Sequence, residues 1–261
     1  MNWGMKNRMS RIFNPETERA LMFAVDHGYF MGPTTGLENI TKTVDPLLPY
    51  ADTLMLTRGA LRNYIAPEKN TSIIMRVSSG TSILNDDLLH EGLSVSMEES
   101  IRMNASAVAF SIMVGAKFER DTLLAFSQLV DEAERYGMPT LAVTAVGKGL
   151  ERDSRYLGLA SRIAGELGAR IVKTYYCENF EHITNTCPVP VVIAGGKKVP
   201  ERDALEIAYK AVQAGAAGVD MGRNIFQSES PVAMVQAVRS VVHENATGAE
   251  AFEMYEEIKN Q

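Results

Sequence analysis

Ala169-Arg170-Ile171-Val172-Lys173-Thr174-Tyr175-Tyr176 is a short apolar run interrupted by a lysine. Its length and β-branched content read as a strand covered on both faces, with Lys173 left at the C-terminal tip. About twenty residues on, Val189-Pro190-Val191-Val192-Ile193-Ala194 repeats the pattern and runs into Gly195-Gly196-Lys197-Lys198. A third run, Ala217-Gly218-Val219-Asp220-Met221, leads into Gly222-Arg223-Asn224. Towards the N-terminus, similar runs lie near 20–25, 53–57, 72–77, 107–112 and 139–144. With 169–174, 189–194 and 217–221 they make eight, none with the alternation of a half-exposed strand.

Helical patterns fill the spaces between them. Gln128 to Tyr136 stops at Gly137, and Tyr156 to Leu167 stops at Gly168. Pro200-Glu201-Arg202-Asp203 opens another helix with proline and acids in its first turn, and two more are expected near 231–243 and 249–259. Eight strands alternating with helices predict a single (β/α)₈ TIM barrel over residues 1–261, an α/β fold of ~250 residues. A doubly wound open sheet is the alternative. Residues 1–19 form a polar, basic N-terminal segment ahead of the first strand, expected to cap the barrel bottom or reach a neighbouring subunit.

Bulk properties exclude several classes. The net charge is −6, which argues against a nucleic-acid surface or a polybasic membrane patch. No apolar stretch approaches the ~20 residues of a bilayer span, and Met1 to Arg8 lacks the apolar core of a signal peptide. Two cysteines, Cys177 and Cys187, do not make a disulfide framework and fit a reducing cytoplasm. No His/Cys/Asp spacing reads as a metal site, and no Gly-x-Gly-x-x-Gly opens a helix after the first strand.

In a barrel, chemistry sits at the C-terminal strand ends. There the sequence places Asp26-His27-Gly28, Arg58-Gly59, Ser78-Ser79-Gly80, Thr144 with Gly147-Lys148-Gly149, Lys173 with Tyr175, Gly195 to Lys198, and Gly222-Arg223-Asn224. A lysine closing an apolar strand can simply snorkel its ammonium to the rim. An apolar wall and the neighbouring cations Lys197 and Arg223 would instead favour a neutral amine, the nucleophile that attacks a ketone. Gly195, Gly196 and Gly222 let backbone N–H groups approach a phosphate that Arg223 can grip bidentately; the plainer reading is tight strand-to-helix turns. One of Lys197 and Lys198 is expected to be a solvated rim charge. Asp26 and His27 are candidate acid–base groups, against a loop cap and a satisfied buried histidine. His90, His182 and His243 read as structural, and Cys177 as a small buried hydrophobe rather than an acyl carrier.

Asp26-His27-Gly28, Ile171 to Tyr176, Val192 to Lys198 and Gly218 to Gln227 resemble the deoxyribose-phosphate and archaeal-type class I aldolase family, with further likeness at Arg11 to Pro15, Gly32 to Leu37, Ala142 to Thr144 and Gly147-Lys148. The resemblance implies a cytoplasmic homo-oligomeric barrel, a ring-based decamer, with Lys173 as the substrate-attacking lysine. It implies transfer of an acetyl group from 3-hydroxy-5-phosphonooxypentane-2,4-dione to coenzyme A, with no resident cofactor, releasing acetyl-CoA and dihydroxyacetone phosphate in breakdown of the autoinducer-2 signal. Members usually carry a longer segment ahead of the position of Asn2-Trp3-Gly4, which bears on contacts between subunits but not on the site. Archaeal-type aldolases place an acid tyrosine in the loop after strand five, where this chain reads Ala145-Val146-Gly147-Lys148-Gly149. A simple aldol cleavage would need its proton donor elsewhere, from His27, Lys148 or Tyr175. A class I aldolase or transaldolase on another phosphosugar, a phosphosugar isomerase and a non-catalytic phosphosugar-binding barrel are the competing readings. Arg58, Lys148 and Arg152 are candidates for the coenzyme A phosphates.

Overall fold

A computed structural model describes residues 1–85, 90–147 and 149–261. Eight parallel strands close into a barrel: β1 (Ala20–Ala24), β2 (Thr53–Thr57), β3 (Ser72–Arg76), β4 (Ala107–Val114), β5 (Thr140–Val146), β6 (Ile171–Tyr175), β7 (Val191–Ala194) and β8 (Gly218–Met221). They pair in chain order, and β8 returns to β1 through Leu21↔Val219 and Phe23↔Met221. At that seam Gly218 takes a φ of +121°, and a Cβ there would stand 2.0 Å from the Ala20 carbonyl oxygen, so only glycine fits.

The strand period of two sorts residues into two packed layers. Leu21, Phe23, Leu54, Leu56, Val172, Ile193, Val219 and Met221 face outward and pack under the helices. Ala20, Met22, Ala24, Met55, Ile74, Ala107, Ala109, Leu141, Ile171 and Val192 face inward and fill the bore. The helix Glu119–Tyr136 shows how the cover is made: Thr122, Phe126, Leu129, Val130 and Ala133 form one buried stripe, and Gly137 ends the helix in the left-handed conformation. The sequence reading began this helix only at Gln128; its first turn, Glu119-Arg120-Asp121, is polar, but Leu123, Leu124 and Phe126 already carry the apolar period.

The N-terminal helix Trp3–Ile12 is capped by Asn2, whose side chain accepts from the Met5 N–H. Ile12 is fully buried in the bore cluster, with Met9 and Phe13 packed against it, at the end where the strands begin. Thr17 Oγ1 meets His243 Nδ1 at 2.8 Å, and His243 Nε2 meets Asp52 Oδ2 at 2.7 Å, which also accepts from the Leu21 N–H. Above β3, a two-stranded antiparallel ribbon joins Ser78–Ser79 to Gly92–Leu93 beside the opposite end of the bore.

Two positions differ from the sequence reading. Lys173 is the third of five residues in β6, not its tip, because the strand runs on to Tyr175, where Thr174 and Tyr175 still pair with Ile193 and Ala194 of β7. Thr144 lies inside β5, which runs on to Val146.

Candidate active site

The bore opens at the C-terminal strand ends into a cavity of about 600 Å³. Ile171, Lys173 and Tyr175 share one face of β6, so the lysine stands one layer above Ile171 and points inward. It is 8% exposed, flanked in register by Val143 and Val192. The contact it makes is not with a cation, as the sequence led us to expect, but with a carboxylate: Nζ lies 2.9 Å from Asp220 Oδ2, and Asp220 is 1% exposed. Burial, only partly offset by Lys173, pushes the Asp220 carboxyl above the ordinary range. Thr144 Oγ1 donates to the Lys173 carbonyl and steadies the strand beneath the amine.

A second carboxylate, Asp26, follows β1 and lines the same cavity. Arg76, the last residue of β3, donates from Nε to Asp26 Oδ2 at 2.9 Å; both side chains are buried. Burial alone would raise Asp26, but Arg76, Lys173 and His27 outweigh it and hold the carboxyl below the usual range. Arg76 Nη1 also donates to Ser111 Oγ at 2.7 Å and Ser78 Oγ at 3.3 Å, and Ser78 Oγ donates to Glu91 Oε2. Tyr29 donates to the other Glu91 oxygen at 2.6 Å, and burial drives its phenol further from ionisation. The guanidinium is thereby held on several sides in a fixed direction. His27 lines the cavity with its ring edge-on to Phe226; burial pushes its imidazole down to about 4, so it is neutral at physiological pH.

Gly195, Gly196, Gly222 and Arg223 come together on the cavity wall. Gly196 has a φ of +69°, and a Cβ on Gly222 would meet the Ala24 carbonyl oxygen at 2.4 Å and His27 at 2.5 Å. Arg223 Nε is enclosed and has no partner among the described residues, as expected of a group that awaits an anion. Asn224 ties the two loops together: Nδ2 donates to the carbonyls of Gly195 and Lys197, and Oδ1 accepts from the Val199 N–H. Lys197 is exposed at the rim; Lys198 is drawn away to Glu201 at 2.7 Å.

Other candidates separate. Arg152 reaches the cavity and stacks 3.9 Å over the Tyr175 ring, whereas Arg58 opens a helix and does not line it. Lys148 lies outside the described residues. Cys177 stands off the cavity lining, and burial with nearby Asp153, Glu178 and Glu181 pushes its thiol up to about 11, unlike a nucleophile. His90 stacks on Phe118 and His243 serves the barrel base. The sequence reading passed over Arg76, Asp220 and Glu91, and placed Asn224 at a strand end without giving it a role. The signal for the first two was present: a charge inside a run that must be buried on both faces is rare without a task.

Comparison with known proteins agrees with this geometry. Residues 20–228 match the model of the DeoC/LacD family aldolases. The chain is 54% identical over 256 residues to the 3-hydroxy-5-phosphonooxypentane-2,4-dione thiolase of Photorhabdus laumondii, covering 98% of this chain and 88% of the relative. It is 53% identical over 260 residues to the thiolase of that name from Enterobacter sp. strain 638, covering 99% and 88%. Among solved structures, an archaeal fructose-1,6-bisphosphate aldolase whose catalytic lysine is covalently bound to a carbinolamine intermediate superposes with a TM-score of 0.81 and 25% identity, over 92% of this chain and 99% of that one. A fructose-bisphosphate aldolase from Slackia heliotrinireducens shares the fold, with a TM-score of 0.86 and 18% identity over 98% and 90%. With the family match spanning the barrel from β1 to beyond β8, the chain belongs to the DeoC/LacD aldolase family.

Proposed function

We propose that this enzyme moves an acetyl group from 3-hydroxy-5-phosphonooxypentane-2,4-dione to coenzyme A, giving acetyl-CoA and dihydroxyacetone phosphate. The observation that carries the reading is the enclosed Lys173 amine on β6, in one cavity with the glycine cradle after β7 and β8 and with Arg223 Nε, which has no partner among the described residues. A phosphate in that cradle would set the adjoining ketone of the substrate near Nζ. Loss of water gives an iminium there. The thiolate of coenzyme A then adds to the acetyl carbonyl. As that adduct collapses, the carbon–carbon bond breaks and its electron pair flows into the iminium. Protonation of the resulting enamine and hydrolysis release dihydroxyacetone phosphate. Asp26 and the neutral His27 flank the reacting ketone, and Gly195, Gly196, Gly222 and Arg223 hold the phosphate. The relatives' name supplies the acyl acceptor class and the dione. Arg152 is the described cation best placed to meet the coenzyme's phosphates. The reading carries with it a cytoplasmic homo-oligomer, a decamer, in degradation of the autoinducer-2 signal; the two unpaired thiols support a reducing compartment.

A class I aldolase on another phosphosugar shares Lys173 and the cradle, and the 25% identical aldolase structure favours it as second reading. Against it, the loop after β5 offers no tyrosine. Coenzyme A dependence separates the two, since aldol cleavage needs no thiol. Borohydride with the dione should place an adduct on Lys173, and Lys173→Arg should abolish turnover while phosphate binding survives. Arg223→Ala should weaken phosphorylated ligands about 10- to 100-fold, the range for charged hydrogen bonds, and spare unphosphorylated ones. Turnover without coenzyme A, or an adduct on Lys197, would sink the thiolase reading.

A further inference from the structure

Two carboxylates face the Lys173 amine, and their surroundings differ. Asp26 is claimed by Arg76 through a direct hydrogen bond and is locked as an anion. Among the described residues Asp220 pairs with no arginine; its Oδ1 is enclosed and has no hydrogen-bond partner there, and its Oδ2 meets Nζ in an ion-pair contact that is not aligned as a hydrogen bond. The β8 backbone fixes it there: Gly218, Asp220 and Gly222 share the inward face, while Val219 and Met221 anchor the strand in the outer layer. Lys173 offsets part of the desolvation of this group, buried at 1% exposure, but its spare oxygen serves no structural contact among the described residues. It does have a chemical use beside a nitrogen that must shed protons.

Taking Lys173 as the imine-forming lysine of the proposed function, we infer that Asp220 is its proton shuttle. The carboxylate accepts one proton from the ammonium, and the freed lone pair forms the nitrogen–carbon bond to the ketone as the carbonyl electron pair moves to oxygen. A second nitrogen proton passes to that oxygen, giving the carbinolamine. Asp220 then returns its proton to the hydroxyl, which leaves as water, and the iminium nitrogen keeps one hydrogen. Charge and hydrogens balance, and Asp220 ends as it began. Asp26 stays ionised throughout and steadies the cationic nitrogen. The burial that raises the Asp220 carboxyl suits it to hold a proton briefly, and two neighbouring carboxylates pushed in opposite directions is the pattern of divided acid–base labour.

The test is the rate of borohydride-trapped adduct on Lys173, followed by mass spectrometry with dihydroxyacetone phosphate. The charged groups facing Asp220 are Lys173 on β6, Asp26 after β1 and Arg76 on β3. Because the proton acceptor is internal, the wild-type rate should change little between pH 6 and 9. Asp220→Asn should trap at least about 100-fold more slowly at pH 7 and recover roughly tenfold per pH unit as solvent base takes over. Binding of inorganic phosphate should stay within a few-fold, which distinguishes loss of the shuttle from loss of the fold. A wild-type rate that itself climbs tenfold per unit overturns the inference, whether or not the variant folds; so does a folded Asp220→Asn that traps at the wild-type rate. Absence of any adduct in the wild type would instead remove the Lys173 reading on which this rests.

Discussion

Arg76 and Asp26 show how one buried pair can serve both fold and site. The guanidinium is 5% exposed and leans on Asp26, Ser111 and Ser78 at once. Taking the carboxylate away leaves an uncompensated buried cation, which typically costs ~3–5 kcal/mol. Asp26→Asn should therefore lower the melting temperature at neutral pH and reduce turnover by about 10²–10³-fold, as for loss of one preorganised electrostatic partner. The pH dependence has a definite sign. The folded Asp26 carboxyl lies below its unfolded value, so its stabilisation is complete above the unfolded carboxylate range and is lost as pH falls through the folded value. Urea titrations at several pH values should show a shallower acid limb in Asp26→Asn than in the parent. Coincident limbs would mean that Arg76 does not hold Asp26 ionised.

At the scale of elements, the ends of β7 and β8 are coupled through one side chain. Asn224 spends both amide hydrogens and its oxygen on the loop after β7, so the glycine backbone of one strand end is set by a residue of the next. Asn224→Ala leaves the Val199 N–H and the Gly195 carbonyl unpaired, at ~1–3 kcal/mol each. The expected result is a KM for phosphorylated substrate raised tenfold or more and a matching loss of inorganic phosphate affinity by calorimetry. Turnover at saturation should change less, because Lys173 and Asp220 stand on β6 and β8 themselves rather than on the loops. Unchanged phosphate affinity would show that the cradle holds its shape without the brace.

For the whole molecule, the two ends of the bore divide stability from chemistry. The layer of Ala20, Ala107 and Leu141 is closed off by Ile12 from the N-terminal helix, with the Thr17–His243–Asp52 chain tying the entry of β1 to the last turn of the helix Pro231–Glu244. Ile12→Ala opens a cavity in a close-packed bore and should cost ~2–5 kcal/mol. It should lower the urea midpoint and leave KM and kcat near their parent values, since Lys173 sits at the other end. A midpoint unmoved by the substitution would show that the helix merely rests on the barrel.

The strand-and-helix alternation, the barrel and the glycine–arginine turns after β7 and β8 could all be read from the chain, because hydrophobic period and backbone freedom are local properties. Lys173, Asp26, His27, Gly195, Gly196, Gly222 and Arg223 line one cavity for the same reason: each stands in or just after a legible strand. The partners of the amine were not legible. Whether the charge beside Lys173 is Arg223 or Asp220 depends on the register of β8 and on which residues of β8 face inward, and one residue of slip would have turned Asp220 into the helical layer. Arg76 likewise read as a strand end until closure of the barrel carried it to Asp26, 50 positions away. Sequence alone thus determined the scaffold and most of the groups on its rim. Tertiary structure decided which charges meet, because that depends on contacts between segments far apart in the chain.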